Sequence, residues 1–175
     1  MKRFPILFCD LDDTLIHTRS KAKFAKGIWD LDFDLRVFEQ IKRMHPSFVF
    51  VITNQGGIGT YFTEEEFEAK LNFVCECIKS YVLKNNNHNI IVDSIYCPSM
   101  DKNDKFRKPN PGMLQYMCDS YDLFETYDKD DMMMIGDASG LEGNFSDSDK
   151  KCADNFGIIY CDVNEFLKIS KFEDK

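Results

Sequence analysis

The short apolar run Phe4-Pro5-Ile6-Leu7-Phe8-Cys9, stopping abruptly at Asp10-Leu11-Asp12-Asp13, constrains this chain more than any other feature. A run of that length without polar alternation suits a strand buried on both faces, and such strands belong to parallel sheets covered by helices. Phe48-Val49-Phe50-Val51-Ile52 repeats the pattern and ends in Thr53-Asn54-Gln55. Ile90 to Tyr96 forms a third run, Met132 to Ile135 a fourth that ends at Gly136-Asp137, and Ile158 to Tyr160 a fifth. Helical patterns lie between them. Leu35, Phe38 and Ile41 stop near His45-Pro46, and Thr63-Glu64-Glu65-Glu66 is a capping box ahead of Phe67, Leu71, Val74, Ile78 and Val82. Asn85 to Asn89 reads as a turn. Pro111 leads Met113, Leu114, Met117 and Tyr121 into a helix, and the helix Ser148 to Phe156 stops at Gly157. The alternation predicts an α/β chain, a three-layer α/β/α sandwich around a mostly parallel central sheet. Ligands of such sheets bind beyond the carboxyl ends of the strands, which is where these polar residues cluster.

The 175 residues contain no repeat, low-complexity tract or long linker, so one domain over 1–175 is expected. With 14% aromatic residues the chain is too rich in core formers for disorder, and no apolar run is long enough to span a membrane. The apolar start is too short for a signal peptide and meets carboxylates at once. Seven cysteines, an odd number without framework spacing, read as reduced thiols of a cytoplasmic protein. Cys75 and Cys77 lie two apart on a helix, where they share no face and make a poor metal clamp. A net charge of −8 argues against passive adhesion to nucleic acid, which needs a basic surface to displace counterions. It leaves room for a local grip on a nucleic-acid end. Two basic clusters are candidates: His17, Arg19, Lys21, Lys23 and Lys26, and later Lys102, Lys105, Arg107 and Lys108.

Three carboxylates within four positions, Asp10, Asp12 and Asp13, repel one another unless a cation joins them, and hard oxygen ligands suit magnesium. Asp10 and Asp12 can divide two tasks, one as nucleophile and the other as proton donor to a leaving oxygen. The segment is not half of a calcium loop, since the required glycine and glutamate are missing, and no Walker loop exists, so no nucleotide cofactor is expected. Thr53-Asn54-Gln55-Gly56-Gly57-Ile58-Gly59 offers a hydroxyl and flexible amides suited to phosphoryl oxygens. Arg107-Lys108-Pro109-Asn110-Pro111-Gly112 sets cations before a rigid turn. Asp137 ends the fourth strand, with Asp147 and Asp149 beyond it.

The order acid, hydroxyl, lysine, acid along successive strand ends resembles the haloacid dehalogenase (HAD) superfamily over nearly the whole chain. The resemblance implies a Rossmann-like sandwich and a phosphate monoester substrate. It implies Asp10 as nucleophile, Asp12 as acid/base, and Thr53 and Lys108 on the phosphoryl group. It implies Mg²⁺ held by Asp10, the main-chain carbonyl of Asp12, Asp137 and Asp149, with Asp147 the alternative to Asp149. Thr14, Arg19, Asn54, Gln55 and Arg107 are expected on the substrate side. The spans between motifs have no room for a large cap domain, and capless relatives act on open or large substrates.

Two branches of the superfamily compete. Histidinol-phosphate and heptose-bisphosphate phosphatases share the Thr-Asn-Gln and Arg-Lys-Pro segments, but their zinc loop needs more cysteines than the one at Cys97. The polynucleotide kinase 3′-phosphatase domain, which acts on 3′-phosphates of DNA ends, resembles this chain from Thr14 to Ser20, at Lys23-Phe24 and Trp29, from Thr53 to Gly59, at Gly136-Asp137-Ala138, and at Phe145-Ser146, Asp149, Asn155 and Gly157. Thr60 departs from it where that branch often carries a basic residue. In this reading Arg19 to Lys26 and Trp29 line the approach for a DNA end; Trp29 reads equally as a core or lid-packing aromatic. A phosphorelay receiver, a non-catalytic alternative, places its phosphorylated Asp on a middle strand and its lysine last, unlike Asp10 and Lys108.

Overall fold

The computed structural model describes residues 1–22, 24–25, 27–83, 89–144 and 146–173. Lys23, Lys26, Phe145 and most of the expected turn at 85–89 lie outside the described residues.

Five strands form one sheet: β1 (Ile6–Cys9), β4 (Phe48–Asn54), β5 (Ile91–Cys97), β6 (Met132–Gly136) and β7 (Ile159–Asp162). Their order is β5-β4-β1-β6-β7 and every pairing is parallel. Because successive strand residues face opposite sides, the sheet feeds two cores at once. Leu7, Cys9, Val49, Val51, Met133 and Ile135 face the layer of α1 (Leu35–Met44), α2 (Glu64–Leu83) and α5 (Val163–Leu167). Ile6, Phe8, Phe50, Ile52, Met132 and Met134 face α3 (Gly112–Ser120) and α4 (Ser148–Phe156). Burial on both faces explains why the central strands read as unbroken apolar runs.

The predicted capping box forms: the Glu66 amide donates to Thr63 Oγ1 (3.1 Å) and the Thr63 amide to Glu66 Oε2 (2.8 Å). Asp34 caps α1 by accepting from the Arg36 amide at 3.0 Å. The third strand starts one residue later than predicted and the fifth ends two later, where Asp162 turns the chain by capping α5 (2.9 Å from the Asn164 amide).

Two elements escaped the sequence pattern. The antiparallel ribbon β2 (Ile16–Thr18) and β3 (Leu31–Phe33) has strands of three residues, too short to show a period, and α5 has five. The ribbon carries the segment 19–30, tied at its base by the buried Asp30, whose carboxylate accepts from the Ser20 amide (2.7 Å) and hydroxyl (2.8 Å). Among the described residues no folded cap intervenes between the strands: ribbon and α1 occupy the span from β1 to β4, and α2 the span from β4 to β5.

Candidate active site

β1 is the middle strand, and Asp10 leaves its carboxyl end with its amide still bonded to the Ile135 carbonyl (3.0 Å). Asp137 follows the end of β6 and Asp149 lies in the first turn of α4. Lys108 enters from the loop between β5 and α3. Its ammonium is 4% exposed and uses all three donors, on Asp10, on Asp149 (2.7 Å) and on the Ile52 carbonyl (2.9 Å). Three chain segments far apart in sequence thus meet at one ammonium.

Asp10, Asp137 and Asp149 each direct a carboxylate oxygen into one space, all within 4.8 Å of one another. One lysine cannot neutralise three carboxylates. The donor set is hard oxygen only, which fits a magnesium ion and not a softer metal. Electrostatics agree. Burial raises the Asp137 carboxyl to about 6, with the Asp149 and Asp13 charges adding to it. Burial also raises Asp10, Lys108 pulls the other way, and Asp149 pushes it further up. Lys108 itself is held firmly protonated: burial opposes its charge, but the Asp10 and Asp149 carboxylates outweigh it. Carboxylates strained in this way gain most from a divalent cation.

Beside this floor stands the pair Asp12 and Thr53. Gln55 Nε2 donates to Asp12 Oδ2 (2.7 Å) and to Thr53 Oγ1 (2.9 Å), which holds the two at a fixed spacing. Gln55, expected on the substrate side, gives its amide nitrogen to these neighbours, while its buried Oε1 has no partner among the described residues. Thr14 is fully buried with its hydroxyl likewise unpartnered. Asn54, expected to bind substrate, is a clamp on Lys108: its Oδ1 accepts from the Lys108 amide and its Nδ2 donates to the Lys108 carbonyl, both at 2.9 Å.

The choice between the late acids falls to Asp149, which is 1% exposed beneath the site. Asp147 lies on the surface in an ion pair with Lys151 (2.7 Å). Gly136 allows this: a Cβ there would overlap the Asp149 carboxylate, which also accepts from the Ala138 amide (3.2 Å). Asn144 donates to the Asp137 carbonyl and to Ser139 Oγ (2.9 Å), bracing the loop that carries Asp137.

The two basic clusters of the sequence come apart in space. Lys108 goes inside, while Arg107 donates to the Ser99 carbonyl (2.6 Å) and lies beside Gly56 at the edge of the Thr53 loop. His17 sits between the carboxylates of Asp13 (3.2 Å) and Asp34 (3.8 Å), which offset any positive charge it carries. Arg19 is exposed with no side-chain partner among the described residues. Trp29, for which a core position was one expectation, is 67% exposed.

The sequence model for "Polynucleotide kinase 3 phosphatase" matches residues 5–167, which takes in every residue of this cluster. The chain belongs to the polynucleotide kinase 3 phosphatase family. A protein of Acanthamoeba polyphaga mimivirus, described as a "Putative bifunctional polynucleotide phosphatase/kinase", is 30% identical over 93% of this chain and 41% of its own length. The histidine biosynthesis bifunctional protein HisB of Campylobacter jejuni subsp. doylei is 30% identical over 87% of this chain and 40% of its own. The chain therefore spans about two fifths of either relative. The D,D-heptose 1,7-bisphosphate phosphatase of B. bronchiseptica, solved with magnesium and phosphate, superposes with a TM-score of 0.61 at 18% identity, covering 96% of this chain and 97% of that one. The chain has the fold of that phosphatase, and the family it belongs to is one of phosphatases.

Proposed function

We propose that this family member is a magnesium-dependent phosphomonoesterase that works through an aspartyl-phosphate and removes 3′-phosphates from polynucleotide ends. The observation that carries the reading is the buried cluster of Asp10, Lys108 and Asp149 at the carboxyl ends of the strands, with Asp12 two residues beyond Asp10.

An Asp10 oxygen attacks phosphorus in line, and the bond from phosphorus to the ester oxygen breaks. Asp12 gives its proton to the departing oxygen, then takes one from the water that attacks the aspartyl-phosphate, releasing inorganic phosphate and restoring Asp10. Lys108 offsets charge around the nucleophile, and the Thr53 hydroxyl, spaced from Asp12 by Gln55, orients a phosphoryl oxygen. A magnesium ion held by Asp10, the Asp12 carbonyl, Asp137 and Asp149 would supply further neutralisation of the phosphoryl oxygens.

The polynucleotide substrate is supported by the family match over 5–167 and by a site with no folded cap above it. The exposed Trp29 and Arg19 of the segment 19–30 are offered to a single-stranded end, where aromatic stacking and phosphate contacts give sequence-blind grip. Such an activity belongs to DNA repair. All seven cysteines are free and no described helix is long and apolar enough to cross a membrane, in keeping with a cytoplasmic enzyme.

A second reading, hydrolysis of a small phosphate of the histidinol-phosphate or heptose-bisphosphate type, is favoured by the HisB relative and by the net charge of −8. Phosphate release with magnesium from a 3′-phosphorylated oligonucleotide, histidinol phosphate, heptose bisphosphate and an aryl phosphate separates the two. The expected result is a kcat/KM for the oligonucleotide higher by orders of magnitude; a winning sugar phosphate would replace the first reading with the second.

A further inference from the structure

Lys70 is a cation at a position where its helix calls for an apolar side chain. Phe67, Lys70, Leu71, Val74 and Ile78 follow the helical period along α2 and all are buried, Lys70 to 4% exposure. Its ammonium lies over the rings of Phe67 (4.8 Å to the centroid) and Phe62 (5.4 Å). Among the described residues it has no hydrogen-bond acceptor and no carboxylate at ion-pair distance. Lys108, buried to the same degree, has three acceptors.

Two aromatic faces replace only part of the hydration that a buried ammonium loses. Phe62, under the ammonium, folds back on Ile58 and Gly57 of the loop that starts at Gln55, and Gln55 holds Asp12 (2.7 Å), so the lysine stands on the Asp12 side of the site; burial works against its charge and the Asp12 carboxylate works for it. In the mechanism above that is the side of the leaving group. Thr53, Lys108 and the acidic triad serve the transferred phosphoryl group, and none of them contacts Lys70. An ammonium kept beside the proton donor without a counter-ion of its own is complete only when a ligand brings the anion.

We propose that Lys70 binds a second phosphate of the substrate, carried on the leaving group, and thereby selects phosphomonoesters that have one. This rests on the phosphatase reading. The second phosphate is the adjoining phosphodiester in a polynucleotide, or the other phosphate of a sugar bisphosphate. The helical pattern conceals this role, because a lysine between Ala69 and Leu71, with Glu68 two residues before it, reads as one more solvated charge.

The test measures kcat/KM of wild type, K70Q and K70R on thymidine 3′-monophosphate, thymidine 3′,5′-bisphosphate and a 3′-phosphorylated oligothymidylate, and on a sugar bisphosphate with its monophosphate. Wild type is expected to favour the member of each pair with the second phosphate. K70Q is expected to lose about 10–100-fold on those members, at least about tenfold more than on the monophosphates, and K70R to recover most of it. On the oligonucleotide, the slope of log kcat/KM against log salt is expected to flatten by about 0.7 in K70Q, one phosphate contact fewer. Equal losses on single- and double-phosphate substrates, or a wild type with no preference, would overturn the proposal; the second result needs no variant to fold. Turnover of the sugar pair alone would retire the polynucleotide reading, while the ratio within that pair still decides Lys70. An oligonucleotide cleaved equally well by K70Q would leave the function standing and remove Lys70 from it. A wild type that turns over none of them overturns both.

Discussion

On the floor of the site, Lys108 has all three donors engaged, Gln55 holds Asp12 to Thr53, and Asn54 grips Lys108 by both main-chain groups. In the segment 19–30, Asp30 ties the base and Phe24 packs on Tyr61 and Phe62, while Trp29 and Arg19 stand in solvent. The two regions obey different demands. A reacting phosphoryl group needs donors held in place before it arrives, because reorganising them costs rate. A surface that meets varied ends needs area and charge, with little fixed geometry. The difference teaches that the floor limits what chemistry is possible, and the exposed segment what the chemistry is applied to.

Four measurements can break or sharpen that contrast. Asp10→Asn should lower turnover by on the order of 10⁴-fold or more while circular dichroism stays that of the folded chain. Residual activity near wild type would mean that the floor is not where bonds change. Asn54→Ala frees the main chain of Lys108 without touching its charge, and kcat should fall by about 10²-fold. An unchanged kcat would show that the clamp is dispensable to the preorganised floor.

The third is a pH effect confined to the floor. Asp137 titrates at about 6, raised by burial above the ordinary carboxylate value of about 3.9. Between those values the folded protein keeps a proton that the unfolded chain has lost. Its contribution to the stability of the metal-free protein is full below about pH 4 and is lost as pH rises through about 6. A metal needs the deprotonated form, so apparent magnesium affinity should climb by up to about tenfold per pH unit and level off above 6. Thermal midpoints at pH 5 and 7 check both signs: the metal-free midpoint falls with pH, and the gain from magnesium grows. A gain independent of pH would remove Asp137 from the ligand set. The smallest effect belongs to the exposed segment. Trp29→Ala should cost about fivefold or more on a 3′-phosphorylated oligonucleotide, the scale of one lost base stack, and leave an aryl phosphate alone. Equal losses on both substrates would tie Trp29 to the floor instead.

The legible parts of this protein share one property, which is that they are local. β4 shows in Phe48 to Ile52 because both faces of the strand are buried, and the start of α2 shows in Thr63 and Glu66 because a capping box closes within four residues. The small ribbon and α5 left no pattern to read, since three strand residues or five helical ones scarcely pass a single period and do not repeat it. Arg107 and Lys108 are neighbours in the chain and look alike there, yet one is tied to the Ser99 carbonyl on a loop and the other is sealed between Asp10 and Asp149. Adjacent residues leaving a tight turn point in different directions, and sequence spacing carries no record of that.

By itself the sequence determined the alternation of strands and helices, and that carboxylates, a hydroxyl and a lysine stand at the ends of the strands, because burial and strand termination are written into neighbouring residues. Only the tertiary structure decided that Asp149 and not Asp147 reaches Lys108, that Asn54 grips the main chain of Lys108, and that Lys70 lies buried on the Asp12 side of the site. Those outcomes depend on parallel strands aligned in register and on helices seated over them. They join groups tens of residues apart, such as the 98 that separate Asp10 from Lys108, at distances where a displacement of one ångström changes the partner.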